Sequence, residues 1–445
     1  MSKKAFAGIF GTSPKIAVVS IVLVANALIW YFYYFSFLLD VINETGFSSS
    51  EILTVWGINF LGIALSALLS STVIHRIKTR TNFLLYWMFA GAIFSLIPLA
   101  INITQFCIIT MFSVLGGVYF GLGMPICFGY FASVTEATNR SRLSGITFLF
   151  VFSGFFFLSV LGITGIALNS IILAVWKLGG LAALLILKPE EEQIYQSGDV
   201  SYSSILRNRS FFLYFIPWLM FSAVNSLAVP IISDFFTETF IDYTFISIVE
   251  NALSSIFAVV FGFFGDFVGR KRLTVAGFAL LGVGYASLGL FSGSTLGCWF
   301  YVIVDGIAWG AFYTIFLMTL WGDLAQEKGS EKYYALGSLP YLFSNFMRIS
   351  IGSTIGDFVA ESAIFSFASV FLFLAVLPLV YAPETLPEKT MKERELKNYI
   401  EKAQKAATKV QKTEVEDTSS ENASPEIESE SEDFKDILKE AEKYY

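Results

Sequence analysis

The chain has 445 residues, of which 55% are hydrophobic and only 15% charged, and its mean hydropathy is +0.66. This composition does not describe a water-soluble surface, and it indicates a membrane protein that crosses the bilayer several times. The formal net charge of −7 argues against a nucleic-acid partner, because binding DNA or RNA requires a basic surface.

Residue types that bind metals or carry out catalysis are scarce. The chain has one histidine, His75, and three cysteines, which all lie in apolar runs and form no spaced framework. This set supports neither a zinc site nor a disulfide scaffold. The sequence also contains no phosphate-binding loop and no nucleophile elbow. We therefore expect no metal, no cofactor and no enzymatic activity.

Apolar segments dominate the chain up to about residue 381. A helix needs about 20 residues to cross about 30 Å of hydrocarbon. Twelve segments qualify, which predicts an all-α membrane protein. They are residues 16–39, 52–74, 83–101, 106–131, 143–161, 166–187, 211–232, 245–264, 273–291, 298–320, 336–355 and 364–381.

Positive charge is unevenly distributed between the connections of these helices. Before Lys389 the chain has 18 lysines and arginines, and 16 of them lie in alternate connections on one side. The connections on the other side carry acidic residues instead, such as Asp40 and Glu238. Because cationic loops stay in the cytoplasm, we expect both termini to be cytoplasmic in a protein of the plasma membrane.

A polar linker, 188–210, divides the helices into two bundles of six, 16–187 and 211–381. A weak repeat supports this division, since weak internal symmetry is typical of transporter folds. The repeat consists of two glycines four residues apart in the fourth and tenth helices, Gly117 and Gly121, and Gly306 and Gly310.

The segments outside the bundles are polar. Residues 1–15 form a short cytoplasmic N-terminus with three lysines. Residues 382–412 form a basic amphipathic segment, which suits the anionic inner surface of a membrane. Residues 413–445 form an acidic low-complexity tail that is too polar to fold against the helices.

A glycine-rich and basic motif connects the eighth and ninth predicted helices. It reads Gly262-Phe-Phe-Gly-Asp266-Phe-Val-Gly269-Arg270-Lys271. The glycines permit a tight turn and close helix contact, and the aspartate can pair with basic neighbours where two bundles meet. The motif resembles the cytoplasmic loop G-x-x-x-D-x-x-G-R-[KR] of the major facilitator superfamily of transporters.

Further motifs resemble the sugar-porter branch of that superfamily. Glu136 is followed by Arg140 and Arg142 after the fourth helix, and Glu384 follows the twelfth helix in a Pro-Glu-Thr sequence. In that branch such residues form a cytoplasmic network of acids and arginines. The resemblance covers about residues 10–388 and implies two six-helix, pseudo-symmetric bundles that expose a central site alternately to each side of the membrane.

The sequence departs from the patterns of the superfamily at three places. In the first-half loop, His75 stands where the motif has its acid. The seventh helix, 211–232, has no paired glutamines of the sugar-binding kind. The fifth helix, 143–161, also lacks the Gly-Pro motif of proton-linked drug antiporters. Sugar, another metabolite and an exported amphipathic compound therefore all stay open as substrates.

Four ionisable residues fall inside predicted helices: Lys177, Glu250, Asp305 and Arg348. Each costs at least about 2.5 kcal/mol to place in hydrocarbon, so such residues usually face a partner or a cavity. Asp305 and Arg348 lie at similar depth in adjacent helices, and a pair between them would serve either proton coupling or structure alone. Glu250, nearer the outer end, is a second coupling candidate or a wetted carboxylate.

The resemblance implies a central cavity lined by the first, fourth, seventh and tenth helices. Aromatic and amide side chains there suit a neutral or amphipathic organic ligand, although aromatic packing explains them equally well. The candidates are Asn26, Trp30, Tyr34, Trp218, Asn225 and Trp309.

These features predict a secondary active transporter that moves a small organic solute, a sugar or another metabolite, across the plasma membrane together with protons. Its partners would be that solute, protons and the lipid bilayer, with no nucleic acid. Two alternatives stay open. One is a proton-linked exporter of amphipathic compounds, and the other is a membrane sensor with the shape of a transporter.

Overall fold

The apolar segments form long helices in the computed structural model, which describes residues 13–74, 79–160, 165–189, 200–239, 241–291, 294–326, 329–355, 360–386 and 400. We number the twelve long helices α1 to α12. They are α1 Pro14–Thr45, α2 Ser49–Val73, α3 Arg80–Ala100, α4 Phe106–Val134, α5 Arg140–Val160, α6 Ile166–Leu187, α7 Arg209–Thr239, α8 Tyr243–Val268, α9 Arg270–Phe291, α10 Thr295–Ala325, α11 Ser330–Ile355 and α12 Glu361–Tyr381.

Eleven of these helices, within the described residues, are long and apolar enough to cross a membrane. The remaining one, α11, is the least hydrophobic of the twelve. A short helix, Tyr202–Arg207, lies in the linker and is called the linker helix below. Residues in helices dominate the described chain, so the prediction of an all-α membrane protein is confirmed.

Local sequence sets the ends of the helices. Ser13 caps α1 by accepting a hydrogen bond from the Ile16 amide at 3.3 Å. At the other end Gly46, with φ of 68°, adopts the left-handed conformation that glycine favours. Ser48 and Glu51 form a capping box at the start of α2. The connection between α1 and α2 is only three residues long, 46–48, so the two helices run antiparallel.

Several helices begin earlier than the hydrophobic runs predict. The predicted starts at 83, 143, 273 and 336 are three to six residues late, because α3, α5, α9 and α11 begin at Arg80, Arg140, Arg270 and Ser330. The first turns of these helices contain charged residues, and a search for apolar runs ends at a charged residue. These turns remain helical because their charged side chains are paired with other helices.

The two sets of six helices pack in the same pattern. In the first half, α1 to α6, the pairs α2 with α4, α3 with α6 and α1 with α5 are in contact. In the second half, α7 to α12, the corresponding pairs are α8 with α10, α9 with α12 and α7 with α11. Between the halves, α5 packs against α8 and α11 packs against α2. Each contact maps onto another when the numbering shifts by six, which shows the pseudo-symmetry.

The repeated glycines produce the equivalent pairs α2 with α4 and α8 with α10. A Cβ atom on Gly117 or Gly121 would lie within 3.0 Å of the α2 backbone. A Cβ atom on Gly306 or Gly310 would lie within 3.0 Å of atoms in α8. Larger residues would separate the helices, so the repeat has a packing function in each half.

The chain divides into two units after Thr385. The first, Met1–Thr385, contains all twelve long helices. The second, Leu386–Tyr445, is described only at its first residue and at Ile400. The predicted character of the segments 382–412 and 413–445 therefore stays a prediction.

Candidate functional site

Five charged side chains form a buried network at the end of the bundle where α3, α5, α9 and α11 begin, called the basic end below. Arg140 and Arg142 come from the first turn of α5, Asp266 from the end of α8, Arg270 from the start of α9 and Asp323 from the end of α10. Arg142 Nε lies 2.8 Å from Asp266 Oδ2. Arg270 Nη2 lies 3.1 Å from Asp266 Oδ1. Asp323 pairs with Arg140 and lies 2.9 Å from Arg270 Nε. Arginines and aspartates thus alternate across both halves.

Backbone groups make further hydrogen bonds with this network. The amides of Ser141 and Arg142 donate to the two Asp266 carboxylate oxygens at 3.2 and 3.1 Å, which places the acid at the N-terminus of α5. Arg140 donates to the carbonyls of Ala132 and Thr135 at 2.8 and 2.7 Å. The network is therefore a closed set of buried charges, and removing one member leaves its partner unpaired in a dry site.

Glu384 binds the N-terminus of α9, next to the network. Its carboxylate accepts hydrogen bonds from the amides of Arg270 and Lys271 at 2.8 and 3.2 Å. Gly269 has a φ of 102° there, and a Cβ atom at that position would collide with the Glu384 carboxylate. Glycine in the motif therefore serves both the turn and the close approach of the acid.

Glu136 is placed differently from the position that the sugar-porter resemblance implies. Its side chain is exposed, and the carboxylate accepts a hydrogen bond from the Thr138 hydroxyl at 3.1 Å. Among the described residues it forms no ion pair with Arg140 or Arg142. Asp323 occupies that role instead. Sequence reasoning missed Asp323 because it lies beyond the predicted end of the tenth helix, in a turn without a motif.

A second cross-bundle ion pair joins Arg80, the first residue of α3, to Glu331 in the first turn of α11. Both side chains are buried, Glu331 completely. A Cβ atom on Gly129 of α4 would lie 2.7 Å from the Glu331 side chain, so α4 also packs against this acid. His75, the departure noted in the first-half motif, lies outside the described residues.

The signs of these charges are segregated between the halves. The interface between the two halves is called the seam below. In every described ion pair that crosses the seam, the first half supplies an arginine and the second half supplies an acid. The arginines are Arg80, Arg140 and Arg142, and the acids are Asp266, Asp323 and Glu331. The basic end therefore closes by electrostatic complementarity between two surfaces.

The linker helix is attached to both halves at the same end. The Tyr202 hydroxyl donates to the Leu68 carbonyl of α2 at 2.8 Å and also pairs with the Ser71 hydroxyl. Lys332 of α11 donates to the Val200 carbonyl at 3.0 Å, and its ammonium lies 5.5 Å from the Tyr202 ring centre. Burial raises the pKa of Tyr202 above its ordinary value. The linker thus spans the seam between α2 and α11.

An aromatic cluster crosses the seam deeper in the bundle. The Tyr313 ring of α10 lies 4.9 Å from Phe152 of α5, in the first half, and 4.8 Å from Trp309. Tyr341 of α11 lies 6.3 Å from Tyr313. Tyr31 of α1 is near enough to Tyr341 to interact with it electrostatically. We call these five residues the central aromatic cluster. Of these five residues, Trp309 alone is a cavity candidate in the sequence analysis.

The ionisable residues of the second half gather beside this cluster. Asp305 accepts a hydrogen bond from the Tyr301 hydroxyl at 3.3 Å, and Glu250 is near enough to interact with Asp305 electrostatically. Arg348 interacts in the same way with Tyr313 and with Tyr243. Among the described residues, no carboxylate lies within 4.0 Å of the Arg348 guanidinium, so the pair that sequence reasoning allowed is not formed in this state.

Two predicted cavity residues of α7 have structural contacts within the second half. Trp218 is fully buried, and its indole N–H donates to the Gly337 carbonyl at 2.9 Å. Asn225 donates to the Ser344 hydroxyl at 3.4 Å, one turn from Arg348. Trp218 therefore packs the interior of its own half, whereas Asn225 lies on the polar side of α11.

The first half encloses Lys177, which is completely buried. Its ammonium nitrogen lies 4.2 Å from the ring centre of Trp87, 5.1 Å from Trp30 and 5.5 Å from Tyr119. It has no hydrogen-bond partner among the described residues. Three ring faces thus stabilise a cation that would otherwise be costly to bury.

The α1 candidates surround this cage. Asn26 donates to the Trp176 carbonyl at 2.7 Å, and Tyr34 stacks on Trp30 at 5.1 Å. Residues 26, 30 and 34 are spaced by four, so they share one face of α1, and that face turns into the first half. The neighbouring residue Tyr31 lies on another face, where its ring stacks on Phe120 of α4 at 3.9 Å. Because α1 is hydrophobic on every side, its sequence does not show which neighbours each face contacts.

No group of three residues suited to hold a metal occurs in the described part of the chain. The site instead combines aromatic surfaces, tyrosine hydroxyls and three ionisable side chains. Such a set can bind an organic solute and can exchange protons.

Comparisons with known proteins give the fold. The chain matches the human organic anion transporter MFSD10 (TETRAN) with a TM-score of 0.61 and 12% identity, over 82% of this chain and 99% of that one. It matches the proton:xylose symporter XylE bound to 6-bromo-6-deoxy-D-glucose with a TM-score of 0.63 and 14% identity, over 86% and 97%. A bacterial homologue of the iron transporter ferroportin, in an outward-facing state, matches with a TM-score of 0.58 and 15% identity, over 82% and 98%.

No protein-family model matches the sequence, and no curated protein matches it either. The fold is nevertheless defined, because the structural matches cover nearly the full length of three transporters. The chain has the major facilitator fold, a fold of membrane transporters. The fold that the loop motif implies is thereby confirmed, and the sugar-porter branch stays a prediction.

Proposed function

We propose that the protein is a secondary active transporter that carries a small organic solute across the plasma membrane by alternating access, coupled to protons. The observation that carries this proposal is the pairing of a closed basic end with ionisable groups in the membrane. We assign the basic end to the cytoplasm, because its connections contain most of the cations of the bundle.

The charge distribution at the basic end supports alternation between two states. The seam there is held by buried ion pairs, whose partners belong to opposite halves. Each separated partner regains water when the seam opens, so opening costs less than the contacts alone suggest. Two states with a small free-energy difference are what a substrate needs in order to shift the equilibrium between them.

Asp305 and Glu250 support the coupling to protons. Both carboxyls lie within membrane-spanning helices, on α10 and α8. Two acids that interact in a low-dielectric site do not easily both carry charge. A pair of this kind can take up a proton on one side of the membrane and release it on the other when the surroundings change.

The solved structures of the same fold leave the solute open. They include a sugar symporter, an organic anion transporter and a homologue of an iron transporter. A sugar or another metabolite, carried inward, fits the motifs at the basic end. The aromatic central cluster also fits an amphipathic compound, which an exporter would move.

Reconstitution in proteoliposomes tests this function. The purified chain would be given a panel of radiolabelled sugars, carboxylates and amphipathic compounds, with and without an imposed pH gradient. We expect accumulation of one class that depends on the gradient. Absence of both accumulation and counterflow for every class would contradict transport.

A further inference from the structure

Arg348 lies in an unusual place for a cation. It is partly buried on α11, four residues after Ser344 and seven after Tyr341, so all three side chains share one face of the helix. An arginine inside a membrane helix is costly unless it meets a negative or polar group. Within the described part of the chain, it forms no ion pair within 4.0 Å.

Aromatic and hydroxyl groups adjoin this guanidinium. Tyr313 is near enough to interact with Arg348 electrostatically, and its ring is bracketed by Trp309 at 4.8 Å and Phe152 at 4.9 Å. Because Phe152 belongs to the first half and the others to the second, a planar ligand that stacks against this cluster would contact both halves. Ring faces of this kind bind planar organic groups by stacking.

The charges that face Arg348 are few. Two acids, Glu250 of α8 and Asp305 of α10, interact electrostatically with Tyr243, as Arg348 does. Two tyrosines, Tyr243 and Tyr313, interact with Arg348 itself, and four others interact with these acids and tyrosines or with one another: Tyr285, Tyr301, Tyr341 and Tyr31. The adjoining parts of α2 and α7 contribute uncharged residues, Gly57 and Asn225.

We propose that the transported solute is a planar organic anion, whose carboxylate binds Arg348 while its ring stacks within the central aromatic cluster. This inference rests on the proposed function and names the substrate class of the same site. The guanidinium can bind a carboxylate with two parallel hydrogen bonds, which a lysine cannot reproduce.

Protons enter this scheme through the two acids. While Asp305 and Glu250 are ionised, they compete with the solute carboxylate for Arg348. Once they are protonated, Arg348 is the uncompensated charge of the site. Anion binding and protonation therefore favour each other, and by linkage the solute binds more tightly as pH falls. A cationic solute would show the opposite pH dependence, since protons would compete with it.

Binding of three matched probes to the purified full-length chain tests the proposal. The probes are 2-naphthoate, its amide 2-naphthamide and the cation 2-naphthylmethylamine, which share one ring system and differ in charge. We expect 2-naphthoate to bind more tightly than the other two, and more tightly at pH 6 than at pH 8. Equal binding of the amide, or preferred binding of the amine, would overturn the proposal.

Arginine variants complete the test. We expect Arg348→Gln to weaken 2-naphthoate binding at least about tenfold, since a charge-assisted hydrogen bond is lost. Arg348→Lys keeps the charge and should retain weak binding, which shows that the variant protein is folded. Arg209→Gln, at an exposed position, is the matched control and should bind normally. Normal binding by Arg348→Gln would overturn the proposal.

The outcomes separate this inference from the proposed function. If proteoliposomes transport the amine or a neutral sugar but not 2-naphthoate, the transporter function stands and the anion inference is wrong. If 2-naphthoate binds through Arg348 but no solute of any class is transported, the site is correctly assigned and the transporter function is wrong.

Discussion

Arg80 and Glu331 form a buried ion pair between the first turns of α3 and α11, and it reverses the arrangement of its pseudo-symmetric counterpart, Arg142 with Asp266. In the counterpart pair, the acid lies at the end of α8 and the arginine at the start of α5. In the Arg80 pair, the arginine lies at the equivalent connection, between α2 and α3, and the acid lies at the start of α11. Because of this reversal, the first half contributes only arginines to the described ion pairs that cross the seam, and the second half contributes only acids.

The first prediction follows from this pair. Glu331→Gln leaves Arg80 buried without its counter-charge, which typically costs about 3 to 5 kcal/mol in a buried pair. Opening of the basic end relieves that cost, so the variant should populate the open state more. The probe is a cysteine at Ser144, which is buried between the halves, in a protein whose native cysteines are replaced. We expect faster maleimide labelling in the variant.

The double variant Arg80→Glu/Glu331→Arg is the control for this prediction. It restores opposite charges with their positions exchanged, so labelling should return toward the original rate. If labelling is equally slow in all three proteins, the pair does not hold the basic end closed.

The second prediction concerns the two aspartates of the network. Asp266→Asn should lower the transport rate while the protein still folds, because the remaining oxygen can accept one backbone amide but the side chain loses its ion pairs with Arg142 and Arg270. Asp323→Asn should have the larger effect, because Asp323 also pairs with two arginines but accepts no hydrogen bond from a backbone amide among the described residues. Glu136→Gln is the matched control, at an exposed acid without an ion pair in the described structure, and should transport normally. Rates would be compared with thermal unfolding temperatures of the same preparations. A loss that follows expression alone would contradict the prediction.

The third prediction concerns the caged lysine. Lys177→Met keeps the length of the side chain and removes a charge that has no acidic partner within the described chain. The lost cation–π attraction, about 2 kcal/mol, is offset by the lower cost of burying methionine. We expect the unfolding temperature in detergent to change little, and Lys177→Ala to lower it clearly, because alanine leaves a cavity. If the methionine variant does not fold, Lys177 has an essential partner, and this prediction is wrong.

Much of the fold follows from the sequence, and the reason is physical. Twelve apolar runs of bilayer length, cations in alternate connections and one specific loop motif define the fold, since each is a local property. The pairing of Arg80 with Glu331 and the role of Asp323 depend on contacts between distant helices. No local pattern marks them, and the search for apolar runs excluded all three residues.

The sequence also did not predict the direction in which each helix face points. Asn26, Trp30 and Tyr34 were assigned to the central cavity through the family resemblance, and the structure turns them toward Lys177 instead. In a soluble helix the polar face marks the exposed side, but a membrane helix is apolar on every side. The assignment of Asp305, Arg348 and Trp309 to a central site rests on charge and on position in the second half, and it stays a prediction.

The fourth prediction concerns proton coupling. Asp305→Asn removes a group that can gain and lose a proton, so accumulation driven by an inward pH gradient should be abolished. Counterflow needs no net proton movement and should persist. If Asp305 and Arg348 had only a structural function, each single variant would misfold, and Asp305→Asn/Arg348→Gln would recover. Normal accumulation by Asp305→Asn would transfer the coupling role to Glu250.

Locking the seam provides the most direct test of alternating access. The Ser144 and Thr319 hydroxyls, on α5 and α10, lie 3.1 Å apart across the two halves. A protein with cysteines at both positions, in place of its native three, would be oxidised, and the cross-link verified by mass. The control is Gly289→Cys/Ser366→Cys, which links α9 to α12 within the second half, where a Cβ atom on Gly289 would lie 3.2 Å from Ser366 Oγ. We predict that oxidation of the first pair stops proton-driven uptake until the disulfide is reduced, whereas the control continues to transport. Unchanged uptake by the fully cross-linked seam would contradict alternating access.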